Sequence, residues 1–78
     1  MKNVLIYSTP TCTYCTMEKD FFKKNNITYT EFNVASDASR RKEMVEKSGQ
    51  MGVPVIDIDG QVIVGFDKGT VADLLGVK

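Results

Sequence analysis

The chain has no histidine, only two cysteines and two prolines, and no excess charge of either sign: ten Lys and Arg stand against ten Asp and Glu. Each shortage excludes something. Without histidine, a structural zinc site inside one chain would be short of ligands. The cysteines are Cys12 and Cys15. A disulfide closing so small a loop would remove little chain entropy, and it would not persist in a reducing compartment, so a structural staple does not account for the pair. Zero net charge gives nothing that steers the chain toward nucleic acid or an anionic membrane. The longest apolar runs are about four residues, against the ~20 that span a bilayer. Met1-Lys2-Asn3-Val4 leads straight into a strand pattern, with neither an apolar h-region nor a cleavage site. The chain is therefore expected to be unprocessed and cytoplasmic. No repeat, linker or low-complexity segment interrupts residues 1–78, which are expected to form one small domain.

What is present is a regular succession of elements. Val4-Leu5-Ile6-Tyr7 runs without alternation, as in a central strand covered on both faces, and the strand is expected over 3–8. Pro10 restricts the loop that follows. A helix is expected over 13–25, with Tyr14, Cys15, Met17, Phe21 and Phe22 on one face and Asn25-Asn26 as its stop. Residues 27–34 read as a less buried strand at an edge, which makes a parallel, right-handed βαβ unit. Asp37 is the cap of a second helix over 38–47. Its apolar stripe is thin (Ala38, Arg41, Met44, Val45), and Arg40, Arg41, Lys42, Glu43, Glu46 and Lys47 form mostly a solvated face. Strands over 53–58 and 61–64 flank Asp59-Gly60, a signal for a type I′ hairpin. Asp67 caps a last helix over 68–75, which Gly76 ends. The order is βαβαββα, an α/β sandwich around a small mixed sheet.

The cysteines sit where the first strand hands over to the first helix, and that placement carries the chemistry. Disulfide exchange needs a thiolate to attack and a second thiol near enough to release the mixed disulfide. Unpaired amides and the dipole at a helix N-terminus favour the anion, and C-x-x-C cysteines so placed have pKa values lowered to roughly 3.5–7.5. Cys12 is at the cap, so the amides of Tyr14 and Cys15 can point at its sulfur. Cys15 is one turn in and less exposed. Cys12 is expected to attack and Cys15 to resolve. Two other places belong with this site. Val53-Pro54 opens the third strand, where proline is tolerated. Val64-Gly65-Phe66-Asp67 reads either as a strand end, turn and cap, or as a second helix N-terminus free to hold a carboxylate.

With Tyr7, Cys12-Thr13-Tyr14-Cys15, Gly52-Val53-Pro54, the Asp59-Gly60 hairpin and Gly65-Phe66-Asp67 in place, the chain resembles a glutaredoxin from end to end. The resemblance implies the thioredoxin-like fold, a four-stranded mixed sheet with helices on both faces. It implies a dithiol–disulfide oxidoreductase with no bound cofactor, reducing protein disulfides or glutathione mixed disulfides. It also implies that Pro54 is cis and faces the cysteines, and that the Val53 backbone pairs with a bound thiol peptide such as glutathione. It places the γ-glutamyl carboxylate of glutathione at Phe66-Asp67, with Tyr14 and Gly65 in the same groove. A monomer is expected.

The chain departs from the family pattern in several places. Thr13 stands where proline is usual. Ser8 and Gln50 are neutral where many glutathione-using members carry basic residues that meet the glycyl carboxylate. Each missing charge-assisted bond is worth roughly 1.5–3 kcal/mol. Gly52 stands where Thr is typical. These changes, with Gly65-Phe66, are also similar to the NrdH-type redoxins, which are reduced by thioredoxin reductase and feed ribonucleotide reductase. The electron donor is thus glutathione or thioredoxin reductase. From another class, two chains sharing a zinc or iron–sulfur cluster through Cys12, with external thiols, would make a metal carrier.

Glu18 breaks the pattern of the first helix. At about 100° per residue it falls near the middle of the apolar face, close to Cys15 and Phe22. Either it leans to the edge and meets Lys19, Lys68 or water, or it is a carboxyl in a desolvated site, with a raised pKa, placed to take the proton of Cys15.

Overall fold

The unbroken apolar run near the N-terminus places its strand inside the sheet. In the computed structural model, which describes residues 3–76, β1 (Val4–Ser8) buries Val4, Ile6, Tyr7 and Ser8. It is followed by α1 (Thr13–Lys24), β2 (Thr30–Asn33), α2 (Ala38–Ser48), β3 (Val55–Ile58), β4 (Gln61–Val64) and α3 (Lys68–Leu75). The sheet order is β2-β1-β3-β4. β1 runs parallel to β2, with Ile6 opposite Glu31, and antiparallel to β3, with Ile6 opposite Ile56; β4 is antiparallel to β3. The edge position expected for β2 is observed, as is the mixed sheet.

Because side chains alternate along a strand, the sheet sorts its residues between two cores. Val4, Ile6, Ile56, Ile58 and Ile63 meet Phe21 and Phe22 of α1 and Val71 of α3. Tyr7, Val34 and Val55 meet Met44 of α2. The helices therefore lie on both faces, α1 and α3 on one and α2 on the other. Caps close them as their residues suggest. The Asp37 side chain accepts from the Arg40 amide, and Gly49 and Gly76 end α2 and α3 in the left-handed conformation. Asp59 and Gly60 both have positive φ, as the type I′ turn demands.

β1 is one residue shorter than expected, and two other strands begin two or more residues late. β2 begins at Thr30 rather than Ile27, because the Ile27 amide is spent on the Phe22 carbonyl at the end of α1. Ile27 and Tyr29 pack on the core without joining the ladder. β3 begins at Val55, two residues after the expected start at Val53, because Pro54 has no N–H for a ladder; the Val53–Pro54 bond is cis.

The inner face of α2 is also not the thin apolar stripe expected. Ala38 and Arg41 are exposed, and Met44 alone is buried. Part of the charged set turns inward instead. The Tyr7 hydroxyl donates to Glu43, and the Lys47 ammonium donates to the Tyr7 oxygen (2.9 Å) and to Asp57 (2.7 Å). The Arg40 guanidinium pairs with Glu43 and lies 4.0 Å from the centre of the Phe32 ring. Asp57 is buried in β3, so its charge needs the Lys47 ammonium. Replacing Lys47 by Met keeps the stem and removes that charge. We expect a loss of about 2 kcal/mol in urea unfolding at neutral pH. Arg41→Met, on the exposed side of the same helix, should stay within about 0.5 kcal/mol of the parent.

Candidate active site

Cys12 is the residue just before α1, in extended conformation at φ −84° and ψ 109°, and its sulfur accepts a hydrogen bond from the Cys15 amide at 3.1 Å. Of the two amides expected to reach this sulfur, the Cys15 amide does so. The Cys12 amide donates to the Thr9 carbonyl, which closes the loop around Pro10. Cys12 and Cys15 are joined as a disulfide, with their Cα atoms 5.2 Å apart. Cys12 is half-buried and Cys15 is 0% exposed. The pair thus has one sulfur that an incoming group can approach and one behind it in the protein. Among the described residues, no three His, Cys, Asp or Glu side chains gather as metal ligands.

The other two segments singled out in the sequence are stitched to each other, and the second reaches Tyr14, which lies between the cysteines in the chain. Pro54 is buried, and its carbonyl accepts from the Gly65 amide at 2.9 Å. Gly65 has φ 81°, which favours glycine. Phe66 then meets Tyr14 of α1, with ring centres 6.4 Å apart. Among the described residues neither the N–H nor the C=O of Val53 has a hydrogen-bond partner. Asp67 caps α3: it accepts from the Thr70 hydroxyl at 2.8 Å and the Thr70 amide at 3.1 Å. Those two bonds, the hydroxyl first, hold its carboxyl below the ordinary range. The start of α3 therefore already carries a carboxylate of its own, and the Thr70 amide is not open to a ligand.

The neutral residues at the two usual cation positions are both committed internally. Ser8 is buried, and its hydroxyl donates to Glu31 at 2.7 Å, while the Lys19 ammonium reaches the same carboxylate oxygen at 2.8 Å. Lys19 first, then Ser8, keeps the Glu31 carboxyl below its ordinary pKa. Gln50 folds back on the chain: its side-chain oxygen accepts from the Gly52 amide at 2.6 Å and its NH2 donates to the Gly52 carbonyl at 3.0 Å. A Cβ on residue 52 would stand 2.7 Å from that oxygen. The Gln50 and Gly52 departures are therefore one feature, a side-chain clasp whose Gln50 oxygen a Cβ at residue 52 would displace.

α1 seats differently from its helical pattern. The face toward the sheet holds Cys15, Glu18, Phe21 and Phe22. Tyr14 and Met17, expected on that face, are 60% and 44% exposed. Met17 instead borders a cleft of about 250 Å³ with Asp20, Phe21, Lys24, Phe66 and Lys68. Nothing in the spacing marks this cleft, because it depends on where α3 starts against α1.

Glu18 is 0% exposed, and neither carboxyl oxygen has a hydrogen-bond partner. The arrangement in which it leans out to Lys19 or Lys68 is not the one formed. Lys19 is taken by Glu31, and the Lys68 ammonium stands 5.5 Å from the centre of the Phe21 ring. Desolvation, with a smaller contribution from the Asp67 charge, pushes the Glu18 pKa from 4.5 up to about 7. A carboxyl whose pKa rises on folding binds its proton more tightly in the native state. Stability is then full below the ordinary value of 4.5 and falls as the pH rises through about 7. Glu18→Gln, neutral at every pH, should be the more stable protein at pH 8, by up to about 3 kcal/mol. The gap should close toward pH 5. Urea unfolding of the oxidised proteins across this range checks the sign.

Comparison with known proteins agrees with the fold and the C-x-x-C pair. The glutaredoxin family model matches residues 4–63. An uncharacterised glutaredoxin-like 8.6 kDa protein from the rubredoxin operon of Clostridium pasteurianum is 49% identical over 72 residues, covering 92% of this chain and 96% of its own. Glutaredoxin 3 of Escherichia coli K12 is 39% identical over 67 residues, covering 86% of this chain and 81% of its own. Among solved structures, a mutant of a thioredoxin-like protein superposes over 100% of both chains with a TM-score of 0.93 at 35% identity. The chain belongs to the glutaredoxin family, with the thioredoxin-like fold and a C-x-x-C pair able to form a disulfide.

Proposed function

We propose that the protein is a dithiol–disulfide oxidoreductase in which Cys12 attacks and Cys15 resolves. The observation that carries this reading is the asymmetry of the pair. Cys12 is reachable at the helix cap with an amide aimed at its sulfur, and Cys15 is wholly buried one turn behind it. The Cys12 thiolate attacks a substrate disulfide, forms a mixed disulfide and releases one thiolate. Cys15 then attacks the Cys12 sulfur, releases the second thiolate and leaves the internal disulfide, which a two-electron donor must reduce. The donors in question are glutathione and thioredoxin reductase. The substrate groove runs past Val53, Pro54, Gly65 and Phe66, with Tyr14 on the near side and Asp67 closing the far end. The free backbone groups of Val53 support pairing with a bound peptide strand. No resident cofactor takes part in these steps, and a cytoplasmic, monomeric protein fits them.

One pair of contacts favours protein disulfides and a reductase donor over glutathione. Ser8 is tied to Glu31 and Gln50 to Gly52, so neither side chain is free to meet the glycyl carboxylate of glutathione. This supports the reading in which the chain works as an NrdH-type redoxin, reduced by thioredoxin reductase and passing electrons to ribonucleotide reductase. Two coupled NADPH assays on a protein disulfide test it, one with glutathione and glutathione reductase, the other with thioredoxin reductase. The second should turn over at least about tenfold faster, because a lost charge-assisted bond of 1.5–3 kcal/mol weakens binding by that order. Cys12→Ser should abolish both activities. Cys15→Ser should spare only turnover through a glutathione mixed disulfide. An active Cys12→Ser beside an inactive Cys15→Ser would reverse the two roles.

A further inference from the structure

Glu18 is the one buried polar side chain whose oxygens have no partner among the described residues. Buried polar groups are nearly always hydrogen-bonded, and an orphan calls for a reason. The structure is that of the disulfide form, in which Cys15 carries no S–H. On reduction Cys15 gains one. Residues three apart on a helix are neighbours on its surface, and Cys15 and Glu18 share the same fully buried face of α1. Reduction thus places a new S–H donor on the same buried helix face as the orphan carboxyl.

We propose that the Glu18 carboxylate accepts the proton of the Cys15 thiol during resolution of the mixed disulfide. This rests on the proposed roles of Cys12 and Cys15. Cys15–SH gives its proton to Glu18, the Cys15 sulfur attacks the Cys12 sulfur, a new S–S bond forms, and the Cys12–substrate S–S bond breaks. The substrate leaves as a thiolate, which takes a proton from solvent or from the Glu18 acid. Cys15 cannot hand its proton directly to bulk water, since neither it nor Glu18 is exposed.

The surroundings leave few other groups to set this proton's affinity. On α1, Lys19 is paired with Glu31 of β2, and that carboxylate also takes the Ser8 hydroxyl from β1. From α3, Asp67 contributes a negative charge, and Lys68 is drawn over the Phe21 ring. β1, β3 and β4 send Ile6, Ile56 and Ile63 into the core on this side. Asp57 is engaged with Lys47 of α2. Glu18 therefore titrates under the influence of burial and Asp67, with Cys15 as its proton donor.

The test separates attack from resolution. Reduced protein is mixed with an aromatic disulfide whose released thiolate is coloured. The first release reports attack by Cys12 and the second reports resolution by Cys15. In the parent, the second phase should show an inflection above the ordinary carboxylate range, where the buried Glu18 ionises. In Glu18→Gln the first phase should match the parent within about twofold. The second should slow by about a hundredfold at neutral pH and lose the inflection, as removal of a general base predicts. Glu18→Asp, which keeps a carboxylate, should retain an inflection at a displaced pH. Superimposable second-phase profiles for the parent and Glu18→Gln overturn the proposal, as does an Asp variant with no inflection. If the parent releases no first thiolate at all, it is the thiol–disulfide reading itself that fails. At pH 5 Glu18 carries its proton and the Gln variant is its neutral equivalent, so matching first phases there confirm that the variant is folded.

Discussion

The structure depends on how α1 is seated on the sheet. Phe21 and Phe22 are driven into the core formed by Ile6, Ile56 and Val71, and this fixes the rotation of the whole helix. Since Cys15 and Glu18 lie on the same face as those rings, they are buried with them. Cys12, just before the first turn, is left at the rim with the Cys15 amide against its sulfur. The difference in exposure between the two sulfurs thus follows from aromatic burial two turns away. So does the dry carboxyl beneath them. Burial of Glu18 works against stability at neutral pH.

A second theme is the internal use of groups that could otherwise meet a ligand. Ser8, Glu31 and Lys19 form a closed set on the α1 face of the sheet. Gln50 and Gly52 form another at the approach to the cis proline. Asp67 occupies the amide end of its own helix. What remains open is backbone at Val53 and the aromatic pair Tyr14 and Phe66, beside a cleft bordered by Met17, Lys24 and Lys68.

On the opposite side of the sheet the same economy appears in a structural role. Tyr7 is too large to be covered by the short apolar stripe of α2, and its hydroxyl needs a partner once buried. Glu43 and Lys47 meet it, Asp57 neutralises Lys47, and Arg40 covers Phe32. The charges that look solvated on a helical projection are held by one tyrosine reaching across from β1.

Local signals were sufficient for much of this protein. Apolar runs, the Asp37 and Asp67 caps, the Gly49 and Gly76 stops and the Asp59-Gly60 turn set every element in its order, because each acts within a few residues of chain. The C-x-x-C pair at a strand-to-helix junction was legible for the same reason, as was the anomaly at Glu18. Element ends were less so where a distant partner decides them. Ile27 lost its place in β2 to the Phe22 carbonyl, and Val53 lies outside β3 because the Pro54 that follows has no N–H for the ladder. Only the tertiary structure decided that Glu18 is sealed rather than turned out to a lysine, because Lys19 and Lys68 found other partners. It alone decided that Gly65 closes on Pro54, that Gln50 clasps Gly52, and that Met17 faces a cleft. These are contacts between segments whose separation in the chain carries no information about their separation in space. By itself the sequence determined which two sulfurs are spaced to pair and at which strand-to-helix junction they stand. The packing of α1 and α3 against one face of the sheet determined which sulfur is reachable and which carboxyl lies beneath the other.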